Sequence, residues 1–144
     1  MSNYQELALE NQLCFALYNA SRAMTKVYQP HLKKLGLTYP QYIVMLSLWQ
    51  YKNSSVKELG NRLNLDSGTL TPLLKRLETA QLVSRTRSKD DERVVMISLT
   101  KQGQLLESDA LVMRQEMLCN STADMEQMLA LKEQLQQLTN QLTQ

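Results

Sequence analysis

Between residues 56 and 99 the hydrophobic period of the chain switches from that of a helix to that of a strand. This switch constrains the fold more than any other feature. VKELGNRL (56–63) and SGTLTPLLKRLE (67–78) space their apolar side chains three and four residues apart, with Leu70, Leu73, Leu74 and Leu77 on one face. Only Asn64, Leu65 and Asp66 separate these segments, so a tight turn joins the two helices, and Asp66-Ser67 can cap the second. LVSRTRS (82–88) and RVVMISL (93–99) instead alternate and are rich in β-branched residues, with the acidic tip Asp90, Asp91, Glu92 between them. That pattern predicts a two-stranded hairpin over about 82–88 and 93–99. Short helix, turn, helix and hairpin compose a winged helix-turn-helix. In such a unit the second helix enters the DNA major groove and the hairpin can reach an adjacent minor groove. A lone hairpin is marginal in water, so this one needs the helical unit beneath it.

Helices flank this lobe. Leu9, Leu13, Leu17, Ala20, Met24 and Val27 predict a helix over about 8–28. Pro30 disturbs the run, and a short piece from His31 to Leu35 ends at Gly36. Thr38, followed by Tyr39-Pro40, reads as an N-cap with a first-turn proline. The helix it opens, about 40–52, is apolar almost all round and should be central to the core. Ser54-Ser55 caps the helix at 56–63. Thr100 caps a long helix to about 118, and Ser121, with Asp124 three residues on, starts a last one to about 142. The expected fold is mainly α with a small β-hairpin: a lobe at about 40–99 between dimerisation helices at about 8–35 and 101–142. The apolar stripes of the first and last two helices, among them Leu105, Leu111, Met128 and Leu135, exceed what one small lobe needs and suit packing between subunits.

Composition excludes several classes. Four Gly and three Pro in 144 residues argue against disorder and a loop-rich all-β fold. No apolar run is long enough for a membrane span, and MSNYQELALENQ lacks the basic and apolar regions of a signal peptide, so a cytoplasmic protein is expected. Two cysteines are too few for a disulfide scaffold, and with one histidine they build no metal site. Glycine-rich phosphate loops, G-x-S-x-G and C-x-x-C are absent, leaving no motif for catalysis or a cofactor. Charge is uneven. Residues 75–101 hold seven Lys/Arg against four Asp/Glu, whereas residues 102–144 hold two against six. The basic middle is a candidate contact for a polyanion.

Ser67, Thr69 and Thr71 are short hydroxyls at the start of the candidate recognition helix, able to bond bases or phosphates. Ser67 could equally serve as a cap. Lys75 and Arg76, a turn later, suit phosphate or guanine. Arg85, Arg87, Lys89 and Arg93 flank the acidic wing tip. Cys14 lies in the first helix beside its apolar face, with Tyr18 one turn on, Tyr28 near the helix end and Tyr39 at the next helix. A free cysteine is usually a small buried hydrophobe. Phenol O–H groups, however, can hydrogen-bond a thiolate and activate it toward a peroxide O–O bond.

DSGTLTPLLKRLE (66–78) followed by RSKDDERVVMISLT (87–100) resembles the DNA-binding core of the MarR family of bacterial regulators. LENQLCFALY (9–18) with TYPQY (38–42) resembles its organic-hydroperoxide-sensing branch. The resemblance implies that Cys14 is the redox-sensing residue and that Tyr18, Tyr28 and Tyr39 bind or adjoin it. It also implies that Asp91 braces the wing, with Arg85 a candidate partner, while Arg93 enters the minor groove. Cys119 is implied to be a resolving cysteine of the two-cysteine type, forming an intersubunit disulfide with Cys14. The implied protein is a homodimeric repressor of a pseudo-palindromic double-stranded DNA site, with an organic hydroperoxide as inducer. Release by a small aromatic ligand or another oxidant is the alternative, and a thiol peroxidase the reading from another class.

Overall fold

A computed structural model describes residues 3–144. Met1 and Ser2, the start of the segment read above for a signal peptide, lie outside them. Six helices and a small sheet run in the order α1 (Leu13–Leu35), α2 (Tyr39–Tyr51), β1 (Ser54–Ser55), α3 (Val56–Leu63), α4 (Ser67–Thr79), β2 (Val83–Arg87), β3 (Val95–Leu99), α5 (Lys101–Cys119) and α6 (Met125–Leu142). This is a winged helix-turn-helix with additional helices at both ends. None of the described helices is long and apolar enough to cross a membrane. The chain divides into two compact units, Met1–Leu111 and Val112–Gln144.

Capping explains most helix boundaries. Thr38 Oγ1 accepts from the Gln41 N–H, and the Gln41 side chain accepts from the Thr38 N–H, a reciprocal capping box. Ser55 and Glu58 repeat the arrangement at α3. Asp66 caps α4 by accepting from the Thr69 N–H at 2.7 Å. Thr100 Oγ1 accepts from the Gly103 N–H at the start of α5 and donates to the Gln81 carbonyl. Helix α1 ends where Gly36 takes φ +72°, a left-handed conformation that glycine adopts without the Cβ penalty.

Four sequence expectations need correction. The first helix does not start near residue 8: residues 5–7 and 9–11 form two 3₁₀ turns, and Gln12 side-chain bonds to the Glu6 and Ala8 carbonyls hold that bend. Pro30 does not divide α1, which runs unbroken to Leu35. A proline removes one helical N–H, and the packed last turn with buried Leu32 tolerates that loss. The hairpin gains a third strand, because Ser54 and Ser55 pair antiparallel with Ile97 and Met96 and give the order β1-β3-β2. Finally, Asp124 rather than Ser121 caps α6, accepting from the Glu126 N–H, while the Ser121 hydroxyl accepts from Ala123.

The core of the first unit is built on α2, as its all-round apolar character predicts. Val44, Met45 and Leu48 are fully buried and are joined in the core by Leu59, Leu70, Leu74, Leu77 and Ile97. Two contacts lock α5 and the hairpin base to this core. The Trp49 indole N–H donates to the Gly103 carbonyl at 2.9 Å, and the Thr100 N–H donates to the Leu82 carbonyl at 3.0 Å. Gly103 packs so close to the Leu82 carbonyl that a Cβ there would collide with backbone. In the second unit α6 buries no side chain, and Met125, Met128, Leu129 and Leu131 are exposed.

The Gly103→Ala variant should therefore be destabilised by about 2 kcal/mol, or roughly 5–10 °C in Tm, because the colliding group is backbone and cannot rotate away. Thermal unfolding followed by circular dichroism tests this, and an unchanged Tm would refute the close approach.

Candidate functional site

Helix α4 presents the residues expected of a recognition helix, with its Leu70, Leu73, Leu74 and Leu77 face buried. Ser67, Thr69, Lys75 and Arg76 are exposed, and Thr71 is half-buried. The capping ambiguity at Ser67 resolves: Asp66 is the cap, which leaves the Ser67 hydroxyl at the helix start without a partner among the described residues. Thr69 has a second duty. Its hydroxyl and its backbone N–H hold the Asp66 carboxyl below the usual carboxylate range.

The wing gives Asp91 a different partner from the one expected. Asp91 accepts from Arg93 three times, from the backbone N–H at 3.0 Å, from Nε at 3.1 Å and from Nη2 at 3.3 Å. These bonds, the guanidinium first, hold the Asp91 carboxyl below its ordinary value. The Arg93 side chain is nonetheless 91% exposed at the wing tip. Arg85 is not the partner of Asp91; it pairs with Glu78 of α4 at 3.4 Å. The strand register gives the reason. Arg85 stands opposite Ile97 and Arg87 opposite Val95, so Arg85 lies at least two residues inboard of the tip that holds Asp91. Arg87 donates to the Glu92 carbonyl at 2.8 Å and steadies the turn, while Lys89 is exposed. Sequence reasoning missed Glu78; its position in the last turn of α4, just before the chain returns as β2, was the available signal.

The cysteine and its expected tyrosines are not assembled within one chain. Cys14 is exposed at the second position of α1. Tyr18, one turn on, is also exposed, with the Arg22 guanidinium 5.4 Å from its ring centroid. Tyr28 lies fourteen positions along the same helix, about 21 Å at 1.5 Å per residue. There it joins Tyr39 at 5.4 Å and Tyr42 at 6.0 Å between ring centroids, and Tyr42 in turn meets Trp49 at 6.4 Å. Tyr42 is a member of this cluster that sequence reasoning did not foresee. Burial, and then Tyr28, push the Tyr39 phenol above its ordinary pKa, so Tyr39 keeps its proton and remains a donor at neutral pH. Cys119 is exposed at the end of α5. His31 is half-buried, and no cluster of His, Cys, Asp and Glu suited to a metal occurs among the described residues.

An open cleft of about 860 Å³ runs beside α1 and the start of α2. Arg22, Lys26, Lys33 and Tyr39 line it, together with Ser21, Thr25 and Leu37, and no acidic residue does.

Fold and surface together define a winged-helix regulator, and the comparisons specify its kind. Residues 26–110 match the family described as transcriptional regulator SarA/Rot. The chain is 54% identical over 109 residues to the organic hydroperoxide resistance transcriptional regulator of Bacillus subtilis (strain 168), across 76% of this chain and 74% of that protein. Among solved structures, reduced AbfR bound to DNA matches with a TM-score of 0.85 at 35% identity, over 99% of this chain and all of that one. Disulfide-formed AbfR matches at 37% identity with a TM-score of 0.67, over 91% of this chain and 92% of that one. The chain belongs to the MarR-type winged-helix transcriptional regulators, with the SarA/Rot and organic hydroperoxide resistance regulators as its relatives.

The sign of the Asp91 shift makes a test. A carboxyl with a depressed folded pKa contributes order above its unfolded value near ~3.9 and loses it only as pH falls through the lower folded value. The Arg93 Nε–H resonance should therefore keep its bonded shift from neutral pH down past the ordinary aspartate range. In Asp91→Asn it should lack that shift at every pH. Loss of the wild-type shift at pH 5 would show that the pair does not form in solution.

Proposed function

We propose that this chain is a homodimeric transcriptional repressor that binds pseudo-palindromic double-stranded DNA and releases it when Cys14 is oxidised by an organic hydroperoxide. The observation that carries the DNA-binding reading is the joint exposure of the α4 face and of Arg93 in one lobe. Ser67, Thr69, Thr71, Lys75 and Arg76 read or position the major groove, and Arg93 enters the minor groove, whose negative potential suits arginine. Arg87 and Lys89 add phosphate contacts. The lobe at about 40–99 reads DNA, and helices within about 8–35 and 101–142 make the dimer. Exposed Leu13, Met24 and Val27 on α1, with Leu105, Leu111 and Leu118 on α5, are the apolar surface that a second copy would cover.

The sensing reading rests on the exposure of Cys14 and on the relative named for organic hydroperoxide resistance. The separation of Cys14 from Tyr28 acquires a meaning in a dimer. If two α1 helices pair antiparallel about Ser21, midway between residues 14 and 28, Cys14 of each subunit comes beside Tyr28 of the partner. The neighbouring Ala20 and Ala23 are small enough for close helix approach. The Cys14 thiolate then attacks the terminal peroxide oxygen, taking that oxygen as sulfenic acid while the alcohol leaves with a proton. A Cys119 thiol of the partner condenses with the sulfenic acid, forming a disulfide and water. Each thiol reacts once, so the protein is a stoichiometric sensor rather than an enzyme. It acts in the cytoplasm, where such thiols rest reduced.

A second reading, release by a small aromatic ligand, is favoured by the cationic cleft with Tyr39 at its edge. Titration with benzoate in place of hydroperoxide separates the two.

In a mobility shift, one equivalent of cumene hydroperoxide per Cys14 should release wild-type protein from DNA but leave Cys14→Ser bound. Cys14→Ser released as readily as wild type would end the sensing reading. A dithiothreitol-sensitive covalent dimer should form after peroxide in wild type and in neither Cys14→Ser nor Cys119→Ser. Peroxide release that persists in Cys119→Ser without added thiol would remove its resolving role. Arg76→Ala and Arg93→Ala should each weaken DNA binding and flatten its salt dependence by about one unit of slope per lost phosphate contact, measured by anisotropy. Unchanged affinity in both would refute the proposed interface.

A further inference from the structure

Strand β2 leaves the body of the lobe just after Val83. Val83, Arg85 and Arg87 alternate onto one face, which is the face of Ile97, the fully buried residue opposite Arg85. Val83 is buried, whereas residues 84–87 are exposed. Arg85 therefore stands where the core ends and the free hairpin begins. Its Nε lies 3.4 Å from Oε1 of Glu78, and both side chains are partly shielded. Glu78, Arg85, Thr86, Arg87 and Val95 rim an open hollow of about 220 Å³ under the wing. Among the described residues, Glu78–Arg85 is the only ion pair between α4 and the hairpin.

We propose that Glu78 and Arg85 are positioning residues that set the tilt of the wing against α4, and with it the register between major-groove and minor-groove contacts. The proposal rests on the DNA-binding reading above. From the hairpin base at Leu99 to Arg93 is six residues, roughly 20 Å of strand. A tilt of about 10° at the base would move Arg93 by roughly 3–4 Å, close to one base-pair step. The hollow leaves room for such a tilt, and the ion pair closes its inner edge. A partly exposed pair of this kind adds little to folding stability, so its effect is geometric. Electrostatics alone predicts the opposite of a helpful role for Glu78. A carboxylate three residues after Lys75 on α4 repels phosphates, and deleting it should tighten binding to any DNA.

That opposition of sign makes the test. A duplex enriched by wild-type protein from a random-sequence pool serves as the specific probe, and a shuffled duplex of the same composition as the non-specific one. Glu78→Gln should lower the ratio of specific to non-specific affinity by about tenfold while non-specific affinity holds or rises. Hydroxyl-radical footprints should lose protection in the flanking minor grooves but keep it over the major-groove half-sites. The reversed pair, Glu78→Arg with Arg85→Glu, should restore most of the ratio. Circular dichroism melts confirm that each variant is folded. Glu78→Gln that keeps the wild-type ratio, or a lowered ratio that the reversed pair does not restore, overturns the positioning role alone. A wild-type protein that enriches no sequence overturns the DNA-binding reading and this proposal with it.

Discussion

The Trp49 indole N–H reaches across fifty-four residues of chain to the Gly103 carbonyl, and around this bond the lobe is organised. It is a buried donor whose alternative is desolvation without a partner, which makes the junction costly to open. Thr100 fastens the same place to the Gln81 and Leu82 carbonyls, and Gly103 lets α5 approach backbone that any side chain would push away. The ends of the hairpin are thereby tied to α2, the all-round apolar helix at the centre. Ile97 of β3 enters the same core, and β1 pairs with it just before α3 begins. The positions of α4 and of the wing base follow from these ties, and both present basic residues outward.

Beyond the wing base the restraints change from apolar packing to polar contacts. Asp91 holds the Arg93 guanidinium in a bidentate grip, Arg87 steadies the turn through the Glu92 carbonyl, and Glu78 meets Arg85 at the root. Polar restraints suit a part that meets a hydrated polyanion, because each donor can exchange its partner for a phosphate or a base edge without exposing apolar surface. In α1 the opposite problem arises. Its apolar stripe is exposed, and its cysteine and the tyrosine cluster stand about four helical turns apart. Two copies of one helix could bring each cysteine to a tyrosine, and a change at the thiol would then be felt at once by both subunits.

Much of this was legible along the chain because its determinants are local. Thr38 with Gln41, Ser55 with Glu58, and Asp66 are caps whose partners lie within three residues, and the leucine face of α4 follows from helical spacing alone. Asp91 and Arg93 are likewise two positions apart. Misreadings fell where distant residues decide. Ser54 and Ser55 became a strand only because β3 offered its free edge, and nothing in two serines announces pairing. Pro30 is a breaker by local propensity, yet α1 continues because the burial of Leu32 and the Gly36 cap hold its last turn past the missing N–H. Arg85 had two acids within reach in sequence, and strand register chose between them.

The sequence by itself determined the helices and hairpin of the lobe, the buried face of α4, the capped starts of α2 to α5 and the exposed basic residues of the lobe, since periodicity and capping act over a single turn. Tertiary structure alone decided which acid Arg85 meets, that Tyr42 joins Tyr28 and Tyr39, that Gly103 must lack a side chain, and that Cys14 lies far from the Tyr28 and Tyr39 cluster. These depend on how a helix of fixed rise and a sheet of fixed register carry residues through space, and no local pattern records those distances.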